Sequence, residues 1–238
     1  MLEINSYSST ILRDISFFLK ENENLIILGE NGAGKSTLAK VLSNLISNNN
    51  VKLFGENIGK IPDFKRAKLI NYIPPKLSIF DEYVTLREFL ELSSIDVVDN
   101  EKIDKIISLL KLEKLENRYC KAFSSGEKQL LLLASSIMHD AEITIFDELT
   151  ANLDISRLKE VFEIFNSDLL KQKIIITHNL DLAYALKYKV LFLSDGIIQF
   201  FGEHDEFFSN QNLKKFYNNT IMKLDNHLVV NLWKYFYM

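Results

Sequence analysis

Nine consecutive residues, Gly29 to Thr37 (GENGAGKST), carry chemistry in both their types and their spacing. They fit G-x-x-x-x-G-K-[ST], with Gly29, Gly34, Lys35 and Ser36 at the fixed places. In such a loop successive backbone N–H groups turn inward on an anion, and glycines permit the positive φ values and the close backbone approach that the curl requires. The residues expected to cradle phosphate are therefore Gly29, Asn31, Gly32, Ala33, Gly34, Lys35, Ser36 and Thr37. Lys35 is placed to reach the β- and γ-phosphates of a nucleotide and Ser36 to offer its hydroxyl to Mg²⁺, while the helix that opens there adds its partial positive end.

Four further places could serve nucleotide chemistry. Asp147 and Glu148 directly follow the apolar run Ile143-Thr144-Ile145-Phe146; the C-terminal end of a buried strand is where α/β sheets set their reactive groups. Asp147 is expected to hold Mg²⁺ through water, and Glu148 to orient or deprotonate an attacking water; the plainer alternative is a solvated acidic turn. His178 stands just after a further strand, Lys173 to Ile176, and is equally consistent with a structural or a catalytic histidine. Ser124 and Glu127 have the spacing of a capping box. A helix should begin at Ser124-Ser125-Gly126-Glu127 with free N–H groups, either as an ordinary cap or as a second anion-attracting start. Tyr7 could stack on a purine or be a half-buried strand-edge tyrosine.

The elements that must position these groups are legible in the periodicity. Leu25 to Leu28 reads as a strand buried on both faces, and Leu38, Val41, Leu42, Leu45 and Ile46 as one face of the helix after the loop. Leu2 to Ile4, Leu12 to Leu19 and Val51 to Phe54 alternate as strands. A short helix over Phe64 to Lys68 precedes a strand, Ile70 to Ile73, stopped by Pro74-Pro75. Helical patterns over Leu86 to Leu92, Glu101 to Lys111 and Leu130 to Met138 place a helical block at about 76–138 inside an α/β core. Val190 to Leu193 and Ile197 to Phe201 form a hairpin about Ser194-Asp195-Gly196. The aromatic tail from Leu213, with Phe216, Tyr217, Trp233, Tyr235, Phe236 and Tyr237, is expected to pack on the body.

Composition narrows the class. The chain has 238 residues, 47% hydrophobic and 25% charged, as an ordinary globular protein does. Its formal net charge of −4 argues against a partner held by nucleic-acid phosphates. The single cysteine, Cys120, can form no internal disulfide, which fits a reduced compartment. The opening MLEINSYSST lacks a basic-then-apolar leader and no apolar run approaches 18 residues, so the chain is expected neither to enter nor to span a membrane by itself.

Taken in order, these residues resemble the nucleotide-binding subunit of ABC transporters over nearly the whole chain. Gly29 to Thr37 stands as the Walker A loop, Phe123 to Glu127 where LSGGQ or LSGGE stands, and Ile143 to Glu148 as Walker B. Ala151-Asn152-Leu153-Asp154 resembles the D-loop, His178 the switch histidine, and Tyr7 the adenine-stacking aromatic. The resemblance implies a single P-loop ABC domain over 1–238: a mainly parallel sheet, an N-terminal antiparallel β-subdomain, the inserted helical subdomain, and an accessory segment at 203–238. It implies an ATPase that uses ATP and Mg²⁺, pairs head to tail with a second copy, and works with integral membrane permease subunits at the cytoplasmic face of the plasma membrane. Ser124, Ser125, Gly126, Glu127 and Asp154 would then meet nucleotide across the pair. Tyr72-Ile73-Pro74, Val84 to Glu88 and Gly202 to Glu206 look most like importers of iron chelates, haem or cobalamin.

Three positions depart from the family pattern. Pro75 stands where the Q-loop glutamine is expected and has no side-chain amide. Ser125 replaces the first signature glycine, and Leu149 the proline after Walker B. Hydrolysis is expected to survive but to be slow or partner-dependent. The competing readings are a soluble ABC ATPase acting on DNA or ribosomes, which usually carries two cassettes or long insertions, and a degenerate regulatory nucleotide binder.

Overall fold

The computed structural model describes residues 1–79, 81–151, 153–224 and 227–230. Asn152, Trp233, Tyr235, Phe236 and Tyr237 thus lie outside the described residues. The chain opens with β1 (Leu2–Tyr7), β2 (Ile15–Leu19), β3 (Leu25–Gly29), α1 (Lys35–Leu42), β4 (Val51–Leu53), β5 (Glu56–Asn57), α2 (Asp63–Leu69) and β6 (Ile70–Ile73). There follow α3 (Leu86–Leu92), α4 (Asn100–Leu109), α5 (Ser125–His139), β7 (Ile143–Asp147), α6 (Ile155–Phe165), β8 (Gln172–Ile176), α7 (Leu180–Leu186), β9 (Lys189–Ser194) and β10 (Ile197–Gly202). It continues with α8 (His204–Phe207), α9 (Asn210–Tyr217), β11 (Ile221–Leu224) and β12 (His227–Val230).

Two sheets organise it. The first is antiparallel, in the order β2-β1-β4-β5. The second runs β10-β9-β3-β8-β7-β6, parallel throughout except for β10, which hairpins back on β9. Parallel strands with both faces covered should be apolar without a break, and every residue of β7 and β8 is buried. Alternate residues serve opposite layers. Ile27, Ile145, Ile176 and Leu191 join a core with α1 and the antiparallel sheet, while Ile26, Phe146, Ile175 and Val190 join a core with α3 to α7. Cys120 is buried in the latter, and burial pushes its thiol up to about 11, so it is inert packing rather than a nucleophile.

The sheet order makes β3, β8 and β7 adjacent, so the phosphate loop, His178 and the Asp147-Glu148 pair leave neighbouring strands at one edge. The hairpin between β9 and β10 closes with Asp195 and Gly196 both at positive φ (51° and 74°), as a two-residue turn with the twist of its strands requires. Among the boundaries that differ from the sequence expectation, two have a clear local cause. Helix α1 ends at Leu42, because Ser43 bonds back to the Ala39 carbonyl and Asn44 turns left-handed (φ 59°). Leu45 is consequently 64% exposed rather than on the buried face. Strand β2 begins at Ile15, since Asp14 also takes a left-handed conformation, its N–H donating to Ser8 Oγ.

Candidate functional site

Two glycines of the loop are required for different reasons. Gly29 (φ 151°) lies so close to β9 that an added Cβ would stand 2.1 Å from the Leu193 carbonyl oxygen. Gly34 (φ 102°) is the left-handed N-cap of α1 and faces the Leu12 side chain. The loop is tied to the β9–β10 turn by the Gly196 N–H, which donates to the Ala33 carbonyl at 3.2 Å. Gly29→Ala should therefore destabilise the fold by about 3 kcal/mol or more through backbone clash and a strained φ. A denaturant melt checks this; a loss below about 1 kcal/mol would contradict the fit described.

Lys35 is buried, and its Nζ donates to the Gly29 and Glu30 carbonyl oxygens, both at 2.9 Å. Burial lowers its pKa, against the opposing pull of Glu148 and Asp147. The ammonium is thus held at the mouth of the loop by carbonyls that a phosphate oxygen can replace.

Asp147 ends β7 and is fully buried. Its Oδ2 accepts from Tyr72 Oη at 2.9 Å, while Oδ1 has no partner. Burial and the neighbouring carboxylate push the Tyr72 phenol well above its usual range, which keeps it a donor. Glu148 turns out of the strand in a left-handed conformation (φ 54°), its N–H donating to the Ile176 carbonyl at 3.0 Å. Its Oε1 lies 2.9 Å from His178 Nε2 but off the line of a hydrogen bond, so it too lacks a donor. Burial raises the Glu148 pKa, Lys35 opposes this and Asp147 adds to it. Burial and Lys35 lower that of His178, so the imidazole is neutral at pH 7. A more basic carboxylate beside a neutral imidazole suits proton transfer from water.

Lys35, Glu148 and His178 line one cleft of about 350 Å³ together with Ile11, Asn31, Gly32, Gly34, Ser36 and Thr37, while Asp147, the residue before Glu148, is buried and is not among the lining residues. The family model for ABC transporters matches residues 12–151, more than half the chain. The chain belongs to the ABC transporter family. It is an ATP-binding domain of that family, and such domains are ATPases. It is 31% identical over 221 residues to an uncharacterized ABC transporter ATP-binding protein of Methanocaldococcus jannaschii, covering 88% of this chain and 86% of that one. It is 30% identical to a zinc import ATP-binding protein of Buchnera aphidicola over 82% of this chain and 79% of the other. The fold matches a dimeric ATP-binding cassette bound to ADP and Pi with a TM-score of 0.69 at 19% identity, over 86% of this chain and 99% of that one.

The ABC site fits Mg²⁺ by the chemistry of its donors. Among the described residues no group of three or more His, Cys, Asp or Glu could hold a metal. Mg²⁺ does not need one, since it takes one or two protein oxygens together with phosphate and water. Ser36 and the partnerless Oδ1 of Asp147 would hold it, and the ion would neutralise charge between the phosphates.

Other expected site residues stand apart from the cleft. Ser124 caps α5, its Oγ accepting from the Glu127 N–H at 3.3 Å while its own N–H donates to Glu127 Oε2 at 2.7 Å. The capping box is formed, and Ser124 and Ser125 are exposed. Asp154 caps α6, accepting from the Arg157 N–H at 2.9 Å. Pro75 offers only its carbonyl, which accepts from the buried Gln129 at 2.9 Å. Tyr7 also stands apart from the cleft. It is 8% exposed, packed among the core residues of the antiparallel sheet, and does not line the cleft. As the last residue of β1, paired with Ile15, it points inward. Ile11, 47% exposed, is the side chain that meets the cleft instead. Neither Ile11 nor Tyr72 is expected at the site from sequence, because no motif marks an aliphatic loop residue or a tyrosine across a parallel strand pair as belonging to it.

Proposed function

We propose that this chain is the ATP-hydrolysing subunit that powers an ABC transporter, paired head to tail with a second copy. It would bind permease subunits at the cytoplasmic face of the membrane, and the transporter would import a metal chelate such as iron-siderophore or haem. The observation that carries the pairing is the division of the site. The phosphate loop, Glu148 and His178 share a cleft, whereas the exposed start of α5 at Ser124 and Ser125 lies outside it. A helix start with outward N–H groups suits a γ-phosphate presented by another copy. The similar cassette is itself dimeric, which is in keeping with a pair.

ATP held in this way favours the closed pair more than ADP does, because the γ-phosphate contacts exist only before cleavage, and such differential affinity is what a switch requires. Permease subunits would turn closing and opening into alternating access. No helix among the described residues is long and apolar enough to cross a membrane, in keeping with a peripheral partner. The importer reading draws on the segments Tyr72 to Pro74, Val84 to Glu88 and Gly202 to Glu206 and on the zinc-import relative. Size-exclusion chromatography of Glu148→Gln with Mg-ATP tests the pairing: a dimer that dissociates when nucleotide is removed is expected, and a monomer under all conditions would refute it.

A further inference from the structure

We propose that Tyr72 is a positioning residue for the metal of the bound nucleotide: its phenol occupies one oxygen of Asp147 and reserves the other for the ion's water. The inference rests on the ATPase reading above. Strands β6 and β7 run parallel with Tyr72 opposite Ile145. Ile145 and Asp147 are two apart in a strand and share a face, and Ile145 packs in the core that contains α1, the helix of the phosphate loop. Tyr72 packs against that core as well. The register alone therefore brings the phenol beside the carboxylate, where Oη donates to Oδ2 at 2.9 Å.

The effect follows from what each oxygen lacks. Asp147 has no exposed surface, and among the described residues Tyr72 supplies the side-chain hydrogen bond to Oδ2 while Oδ1 has none. A buried carboxylate with both oxygens free could rotate or grip an ion through either. With one oxygen taken, it presents a single acceptor in a fixed direction, as outer partners of metal ligands do. Strand β6 has no other polar side chain to contribute at its end, because Pro74 and Pro75 follow Ile73. The Pro75 carbonyl is itself held by Gln129 Nε2, which anchors the strand that carries Tyr72.

The test uses the full chain in the Glu148→Gln background, which suppresses turnover. ATP affinity is measured with EDTA and with Mn²⁺, alongside the electron spin resonance spectrum of the bound Mn²⁺. Tyr72→Phe keeps the ring and removes only the hydroxyl. It should leave metal-free ATP affinity within about twofold, yet reduce the tightening brought by Mn²⁺ about tenfold, the scale on which outer partners act, and broaden the Mn²⁺ lines. When Asp147→Asn is also present, Tyr72→Phe should add no further loss. An Mn²⁺ effect unchanged within about twofold would overturn the proposal. So would an equal loss with and without metal, which marks a packing role. Failure of the Glu148→Gln parent to bind ATP at all would overturn the ATPase reading along with it.

Discussion

Replacing Glu148 by glutamine should lower ATP turnover by about 10³-fold while leaving nucleotide affinity nearly unchanged. Glutamine matches the carboxylate in size but cannot accept a proton from water. The oxygen that would accept it, Oε1, has no donor of its own in the cleft, and burial and Asp147 have made it more basic than an ordinary glutamate. Because the folded pKa lies above the unfolded value, the carboxyl group's contribution to stability is present at low pH. It is lost as pH rises through the folded pKa. Glu148→Gln should therefore raise the melting temperature of the nucleotide-free chain at pH 7, by about 1–4 °C in a protein of this size. The difference should vanish toward pH 4, below the usual glutamate value of 4.5. Steady-state phosphate release and thermal melts at the two pH values check both parts. A turnover loss below about tenfold would show that the proton goes elsewhere.

Lys35→Met should weaken ATP binding by about 10- to 100-fold, as expected when a charge-assisted contact to phosphate is lost. Turnover should fall as well, by about 10²-fold or more, because the same ammonium would meet the charge that develops on the γ-phosphate. Methionine keeps the stem in a space where Lys35 is only 6% exposed. The loss is thus one of charge and hydrogen bonding rather than of packing. Two carbonyl oxygens, those of Gly29 and Glu30, also lose their donor. The ammonium's pull on Glu148 disappears too, so the acid limb of any residual pH–rate profile should move to higher pH. Lys35→Arg should not rescue, since a planar guanidinium fork does not reproduce the compact ammonium that the Gly29 and Glu30 carbonyls hold. Equilibrium binding of ATP without turnover gives the affinity directly, and retention within twofold would contradict the placement of Lys35 at the phosphates.

The sequence made the central sheet legible because its parallel strands are buried on both faces, which leaves largely apolar runs such as Ile143 to Phe146 and Ile174 to Ile176 bounded by polar groups. The start of α5 was equally readable, since Ser124 and Glu127 mark a capping box by type and spacing alone, and the fold forms it. What sequence could not supply was the meeting of segments. Tyr7 sits where a stacking ring is expected, but the inward direction of its side chain follows from pairing with Ile15. The hydrogen bond from Tyr72 to Asp147 depends on the register of β6 against β7, which alternation within either strand leaves open. Helix α1 is shorter than its periodicity suggests, because Leu45 and Ile46 continue the apolar period past Asn44, where a local left-handed turn outweighs it.

The central claim is that the cleft of one copy is completed by the start of α5 from another. It is tested most directly by a structure of Glu148→Gln trapped with Mg-ATP. Ser124 of one copy should lie within hydrogen-bonding distance of the γ-phosphate held by Lys35 of the other, at both sites of the pair. Nucleotide bound in the cleft with Ser124 remote from it in every copy would contradict the account.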